Sequence, residues 1–341
     1  MGRLILRSGG AGGGGGGSLA DGDELVLNGT FTAKASGTPL VYDEFEHGSL
    51  GDQINNNDAT IGEWLSRTGS TPGSQAYVLR SNVRAFKGTR SAASNHTDAF
   101  SGNGSIYRDV QGGAETWYFD YWSYTAPVAG RSRNHKCWRL YDVGGDGLDN
   151  NVEAGNEVWR GAVGTGEHGP DPPWHYCGDI EEGSPAEDYN LPYNQWVHFE
   201  VEFKATASNS LYRNWHDCIL ICEASKLGAS VPGGARVGVR LQNYWANDAG
   251  DGYPANSGCI SYTDVAFVDN TLQRVVICNA NTFAAATRRA IQPSTAWGTS
   301  QITCRVNTAG LSASDTHYAI VLGPQGSTAT PELVQLVSLE I

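Results

Sequence analysis

One run gathers the side chains best suited to acid–base or sugar chemistry: Trp196-Val-His-Phe-Glu-Val-Glu-Phe-Lys204. Strict alternation predicts a strand with Val197, Phe199, Val201 and Phe203 on one face. Trp196, His198, Glu200, Glu202 and Lys204 then share the other. Residues i and i+2 of a strand lie about 6.5–7 Å apart, which suits the wider carboxylate spacing of an inverting glycosidase. His198, Glu200 and Glu202 could hydrogen-bond sugar hydroxyls or act as acid and base, and Trp196 could stack on a sugar ring. The plainer reading of the same pattern is a solvated sheet face.

Two further segments present polar groups with strand spacing. His135, Cys137, Arg139 and Tyr141 alternate, and Arg139 could pair with a uronate or, internally, with Glu200. In 235–245 the residues Val237, Val239 and Leu241 point one way and Arg236, Arg240, Gln242 and Tyr244 the other. The glycan-binding candidates are therefore Trp196, His198, Glu200, Glu202, Arg139, His135, Tyr141, Arg240 and Tyr244. Asp142-Val-Gly-Gly-Asp-Gly-Leu-Asp-Asn-Asn-Val-Glu153 approximates a calcium loop, with Asp142, Asp146 and Glu153 at the ligand positions. Gly144 stands where another ligand is required, and a solvated turn explains the run as well. His-x-Cys occurs at His135/Cys137, His175/Cys177 and His216/Cys218. Two such pairs meeting in space would clamp zinc; buried thiols are the plainer reading. No Ser/His/Asp arrangement, phosphate loop or nucleotide fingerprint is visible.

The elements that must carry these residues are strands. Helical periodicity is hard to find, whereas alternation recurs between Gly, Asn and Asp clusters. The chain has 341 residues with 44 Gly, 10 Trp, 15 Tyr and a single Met, a composition that favours a turn-rich β protein. Half-buried strands with one polar face predict packed antiparallel sheets. The net charge of −13 disfavours nucleic acid and anionic membranes as partners. No run approaches the length of a membrane span. The cysteines number seven, an odd and scattered set that reads as reduced thiols rather than a disulfide framework. Met1–Arg7 is too short in apolar residues for a secretory leader, and Gly12–Gly17 follows as a linker or a docking tether. Beyond about residue 273, short strands near 300–306, 316–322 and 333–339 suggest a small second β domain.

Several segments, in order, carry a resemblance: Leu40-Val-Tyr-Asp-Glu-Phe-Glu46, Lys87-Gly-Thr-Arg-Ser91, Trp117-Tyr-Phe-Asp-Tyr-Trp-Ser-Tyr124, His135-Lys-Cys-Trp-Arg-Leu-Tyr141, Asn194-Gln-Trp-Val-His-Phe-Glu200 and Tyr262-Thr-Asp-Val-Ala-Phe-Val-Asp269. Together they resemble the concanavalin A-like (laminin G-like) jelly roll of lectins, β-glucanases and polysaccharide lyases. The resemblance implies an all-β jelly-roll sandwich over residues 39–272, a Gly-rich N-terminal tether over 1–38 and a small C-terminal β domain over 273–341. The catalytic runs of those enzymes, Glu-x-Asp-x-x-Glu in the glucanases and Gln-Ile-His with Tyr-Lys-x-Gly-x-Tyr in the lyases, are not matched, so no catalytic residue is assigned. No cofactor is assigned, and calcium at the loop above is the one candidate. A glycan-facing fold without a leader and with unpaired cysteines is reconciled by a bacteriophage virion protein. Such a decoration or tail-fibre component would dock on other virion proteins through its N-terminal segment, as a homo-oligomer or part of a larger assembly, and display a module for cell-surface polysaccharide. The alternatives are a secreted polysaccharide lyase or glycoside hydrolase of the same class, and an interaction protein with no sugar ligand.

Overall fold

The computed structural model describes residues 5–7, 18–54, 59–65, 78–95, 106–111, 114–127, 133–142, 154–160, 174–177, 192, 194–204, 211–225, 236–241 and 259–341. These residues form antiparallel sheets, and among them the sole helical turn is the 3-10 segment Gly326–Thr328. Among the described residues no helix is long and apolar enough to cross a membrane.

The first sandwich packs a larger sheet against a sheet of five strands. One sheet runs in the order Ile219–Ser225, Leu211–His216, Trp196–Lys204, Thr116–Pro127, Cys259–Asp269, Val41–Asp43, Ile61–Gly62. Ser91–Asn95 adds to Cys259–Asp269, and Val78–Ser81 to Ser91–Asn95. The facing sheet is Trp174–Cys177, Ala154–Arg160, Arg133–Asp142, Arg236–Leu241, Ile106–Gln111. The alternation predicted for 196–204 is what the core uses. Val197, Phe199, Val201 and Phe203 point inward with Trp117, Phe119 and Tyr121, and meet Ile106, Trp138, Val239 and Leu241 of the facing sheet. Phe119 packs edge-on against Trp138 with ring centroids 5.0 Å apart. Trp117, Phe119 and Tyr121 therefore face the core of this sandwich, and Tyr118 and Trp122 face the other side of the sheet.

The second sandwich pairs two sheets of four strands. Ile5–Arg7, Glu24–Asn28, Gln301–Arg305 and Ser294–Trp297 form one; Arg289–Gln292, Arg274–Cys278, His317–Leu322 and Leu333–Val337 form the other. Leu19, Leu25, Leu27 and Phe31 pack in its core with Val275, Ile277, Ile302 and Val321. This corrects the expected tether over 1–38. Leu25 lies opposite Cys304 and Leu27 opposite Ile302, and Ile5–Arg7 pairs with Glu24–Val26. The Glu24–Asn28 strand is short and alternating, and its apolar residues require a sheet partner that the sequence places at the other end of the chain.

The two sandwiches share a third apolar cluster. Tyr42, Tyr118, Trp215 and Phe267 from the first meet Val276, Phe283, Ile291, Ile320 and Leu322 from the second. The second sandwich thus lies on the face of the larger sheet that carries His198, Glu200 and Glu202.

Candidate functional site

Glu200 and Glu202 are 0% exposed and His198 is 2% exposed, so this face is an interior layer and not the open groove expected. Each charge has a partner from the second sandwich or from its own sheet. Arg289 Nη2 lies 2.6 Å from Glu200 Oε2, and Arg274 Nη2 lies 2.6 Å from Glu202 Oε1. The Ser327 N–H and hydroxyl both donate to Glu202, at 2.8 and 2.7 Å, and Arg213 stands 3.6 Å away. Glu200 therefore does not need Arg139, the internal partner proposed on sequence grounds. Arg274 also lies over the Tyr118 ring at 4.0 Å and Arg289 over Phe283 at 4.1 Å, so both guanidiniums are flanked by aromatic faces. Burial disfavours their charge, but Glu202 beside Arg274 and Glu200 beside Arg289 hold both pKa values above the usual one.

His198 sits next along the same face. Burial pulls its pKa down, but Asp120, with Cys218 and Glu200, raises it well above the usual imidazole value. Asp120 Oδ1 is 3.0 Å from His198 Nε2. Trp122 stacks on the ring with centroids 4.7 Å apart, and Phe86 in turn stacks on Trp122 at 3.7 Å. Gly310, at φ +78°, lets the second sandwich approach here: a Cβ on it would lie 2.5 Å from Trp122. Trp196, half-buried at the start of its strand, makes edge contacts with Phe86 and Tyr124. A layer so neutralised and covered positions two domains. It does not admit a polysaccharide.

The facing sheet holds the other candidates. Arg240 stands in register with Tyr107 on one side and Arg139 on the other, and Arg139 with Gly155. Gly238 stands between Asp109 and Tyr141. Ile106, Val239 and Leu241 belong to the core, so Tyr107, Asp109 and Arg240 belong to the opposite face. The Tyr107 hydroxyl donates to Asp109 at 2.9 Å, and the Arg240 guanidinium lies 5.7 Å from the Tyr107 ring centre. Tyr107 lies over Gly238, where a Cβ would meet its hydroxyl at 2.7 Å. His135 stands opposite Val158, on the strand that also carries Arg139 and Tyr141. Tyr244, Asp146 and Glu153 lie outside the described residues, and Asp142 ends the Arg133–Asp142 strand opposite Val237. The calcium loop is thus outside the described residues beyond its first position.

The His216/Cys218 pair is corrected. His216 ends one strand, while Asp217 and Cys218 form the turn at φ +48° and +67°. His216 is buried against Phe199, with ring centroids 4.3 Å apart, and the two side chains do not form a same-face strand pair. Sequence reasoning missed Asp120, Arg274 and Arg289. The signal available was a charged residue opening an otherwise apolar strand, in Arg274-Val-Val-Ile-Cys278 and Arg289-Ala-Ile.

The sequence matches no protein-family model and no curated protein sequence. Among solved structures, the fold is similar to an endo-β-1,4-glucuronan lyase from the fungus Trichoderma reesei, at 13% identity and a TM-score of 0.43, covering 65% of this chain and 97% of that one. It is similar to the alginate lyase Aly36B, at 10% identity and a TM-score of 0.46, covering 68% and 97%. An endo-1,3-β-glucanase from Streptomyces sioyaensis is similar at 16% identity and a TM-score of 0.42, covering 70% and 98%. The class that the strands define is an all-β protein built of antiparallel β-sandwiches.

Proposed function

We propose that this chain is a carbohydrate-binding β-sandwich protein whose ligand is an acidic polysaccharide, held on the outer face of the smaller jelly-roll sheet. The observation that carries the reading is the register of Arg240 with Arg139 on neighbouring strands. A uronate carboxylate reaching both positions would make a charge-assisted contact with each guanidinium. Tyr107 and Asp109 are buried beside Arg240 and back it from the neighbouring strand, and Arg240 is the partly exposed group of the three. The second sandwich closes the larger sheet's polar face, and this supports a ligand site on the smaller sheet.

The test is a titration of the full chain with uronate-containing and with neutral oligosaccharides. Binding confined to the uronate series, and weakened at least tenfold by Arg240→Ala, is the expected result. Equal binding of both series, or none, would overturn it. The same incubations followed for unsaturated and reducing ends distinguish a binding protein from a lyase or hydrolase acting at this face.

A further inference from the structure

We propose that Cys218, His198 and Glu200 form a binding site for a divalent cation of the zinc type. One donor atom from each lies within 4.8 Å of the other two. A thiolate, an imidazole and a carboxylate are the ligand set that a borderline-soft, tetrahedral cation takes, while calcium and magnesium prefer oxygen alone. The surroundings match what metal ligands require at their far ends. Asp120 lies 3.0 Å from Nε2 of His198 and fixes the ring, which leaves Nδ1 for the cation. Arg289 lies 2.6 Å from Oε2 of Glu200, which leaves Oε1, at 3.4 Å from the Tyr118 hydroxyl. Ligands anchored in this way by outer partners are a recurrent property of metal sites.

The third ligand is set by the backbone. Asp217 and Cys218 form a two-residue hairpin turn with positive φ at both positions, the conformation for which glycine is favoured at the second position. Cysteine there carries a backbone cost that glycine would not. The turn is pinned to the ligand strand from both directions: the Asp217 N–H donates to the His198 carbonyl, and the His198 N–H donates to the Asp217 carboxylate, each at 2.9 Å. Of the thiols free among the described residues, Cys278 and Cys304 are buried, whereas Cys218 is half-exposed and gives the cation a way in. Three protein ligands leave the fourth position of a tetrahedral ion for water or a further donor.

The full chain, reduced with a phosphine and freed of metal, would be titrated with cobalt(II) as an optical probe and with zinc as competitor. The expected result is one cobalt per chain, with a thiolate-to-cobalt charge-transfer absorption that zinc abolishes. Cys218→Gly should fold at least as stably as the parent without metal, because glycine suits this turn, and should lose the absorption and at least tenfold in affinity. Glu200→Gln, checked for folding by circular dichroism, should weaken binding without removing the thiolate band. Absence of the band, or its survival in Cys218→Gly, would overturn the proposal and, in the second case, assign cobalt binding to another cysteine.

Discussion

At the scale of single residues, Phe199 and Glu202 are three positions apart on one strand and face opposite ways, yet both are fully buried. Phe199 loses packing when truncated; Phe199→Ala should cost about 3–5 kcal/mol. Glu202 is held by Arg274 and by both donors of Ser327. Removing it leaves a buried guanidinium without its counter-charge, so Glu202→Ala should cost about 3–5 kcal/mol as well. Urea unfolding of the two variants checks this, and a Glu202→Ala midpoint equal to that of the parent would show the layer to be hydrated. Restoring neutrality by also replacing Arg274 with an apolar residue should recover part of the loss, because a buried pair gains little over a well-packed apolar one.

At the scale of elements, alternation made the 196–204 strand legible, together with its core face and the strands of the second sandwich. What covers the other face was not legible. Alternation says which side chains share a side, and a row of His, Glu and Glu reads as solvated when its partners, Arg274 and Arg289, lie far along the chain. The Cys259–Asp269 strand shows how a loop is tied to such an element. Asp264 accepts the N–H groups of Phe86 and Lys87, at 2.7 and 3.0 Å, and of Val265, at 2.8 Å. Val265, at φ +46°, opens the bulge that follows. Burial pushes the Asp264 carboxyl up to about 7 against the pull of those three donors. A folded pKa above the unfolded value near 3.9 gives a contribution fully present below about pH 4 and lost as the pH rises through about 7. The loss is at most about 1.4 kcal/mol per pH unit over that window. Asp264→Asn should remove this component, so its stability deficit should be largest near pH 4–5 and shrink toward pH 8. Denaturation midpoints that run parallel from pH 4 to 8 would exclude it.

At the scale of the molecule, the second sandwich is built from both ends of the chain. Leu19 is fully buried, its N–H donates to the Ser338 carbonyl at 2.9 Å, and its carbonyl accepts from Glu340 at 2.7 Å. Glycine-rich composition concealed this, because one leucine after a run of glycines carries no periodicity. Deleting residues 1–22 should therefore lower stability by at least the 2–5 kcal/mol, roughly, that a buried leucine contributes. Thermal unfolding of the truncated chain checks it, and an unchanged midpoint would return the segment to the role of a free tether. The docking role expected for that segment must accordingly compete with its role in the fold.

The pairing of Glu24–Asn28 with Gln301–Arg305 also fixes an order of events during synthesis. Glu24 stands opposite Arg305, about 280 residues later. At ribosomal rates of roughly 5–20 residues per second, that partner emerges some tens of seconds after the first strand. Until then only the short Ile5–Arg7 strand is available to pair with Glu24–Val26, and the first sandwich between the two partners can fold first. The charged layer on its larger sheet is then uncovered, and Arg274 and Arg289 arrive last to neutralise it. The 274–305 stretch therefore acts as a closing step of assembly for a strand made about 250 residues earlier.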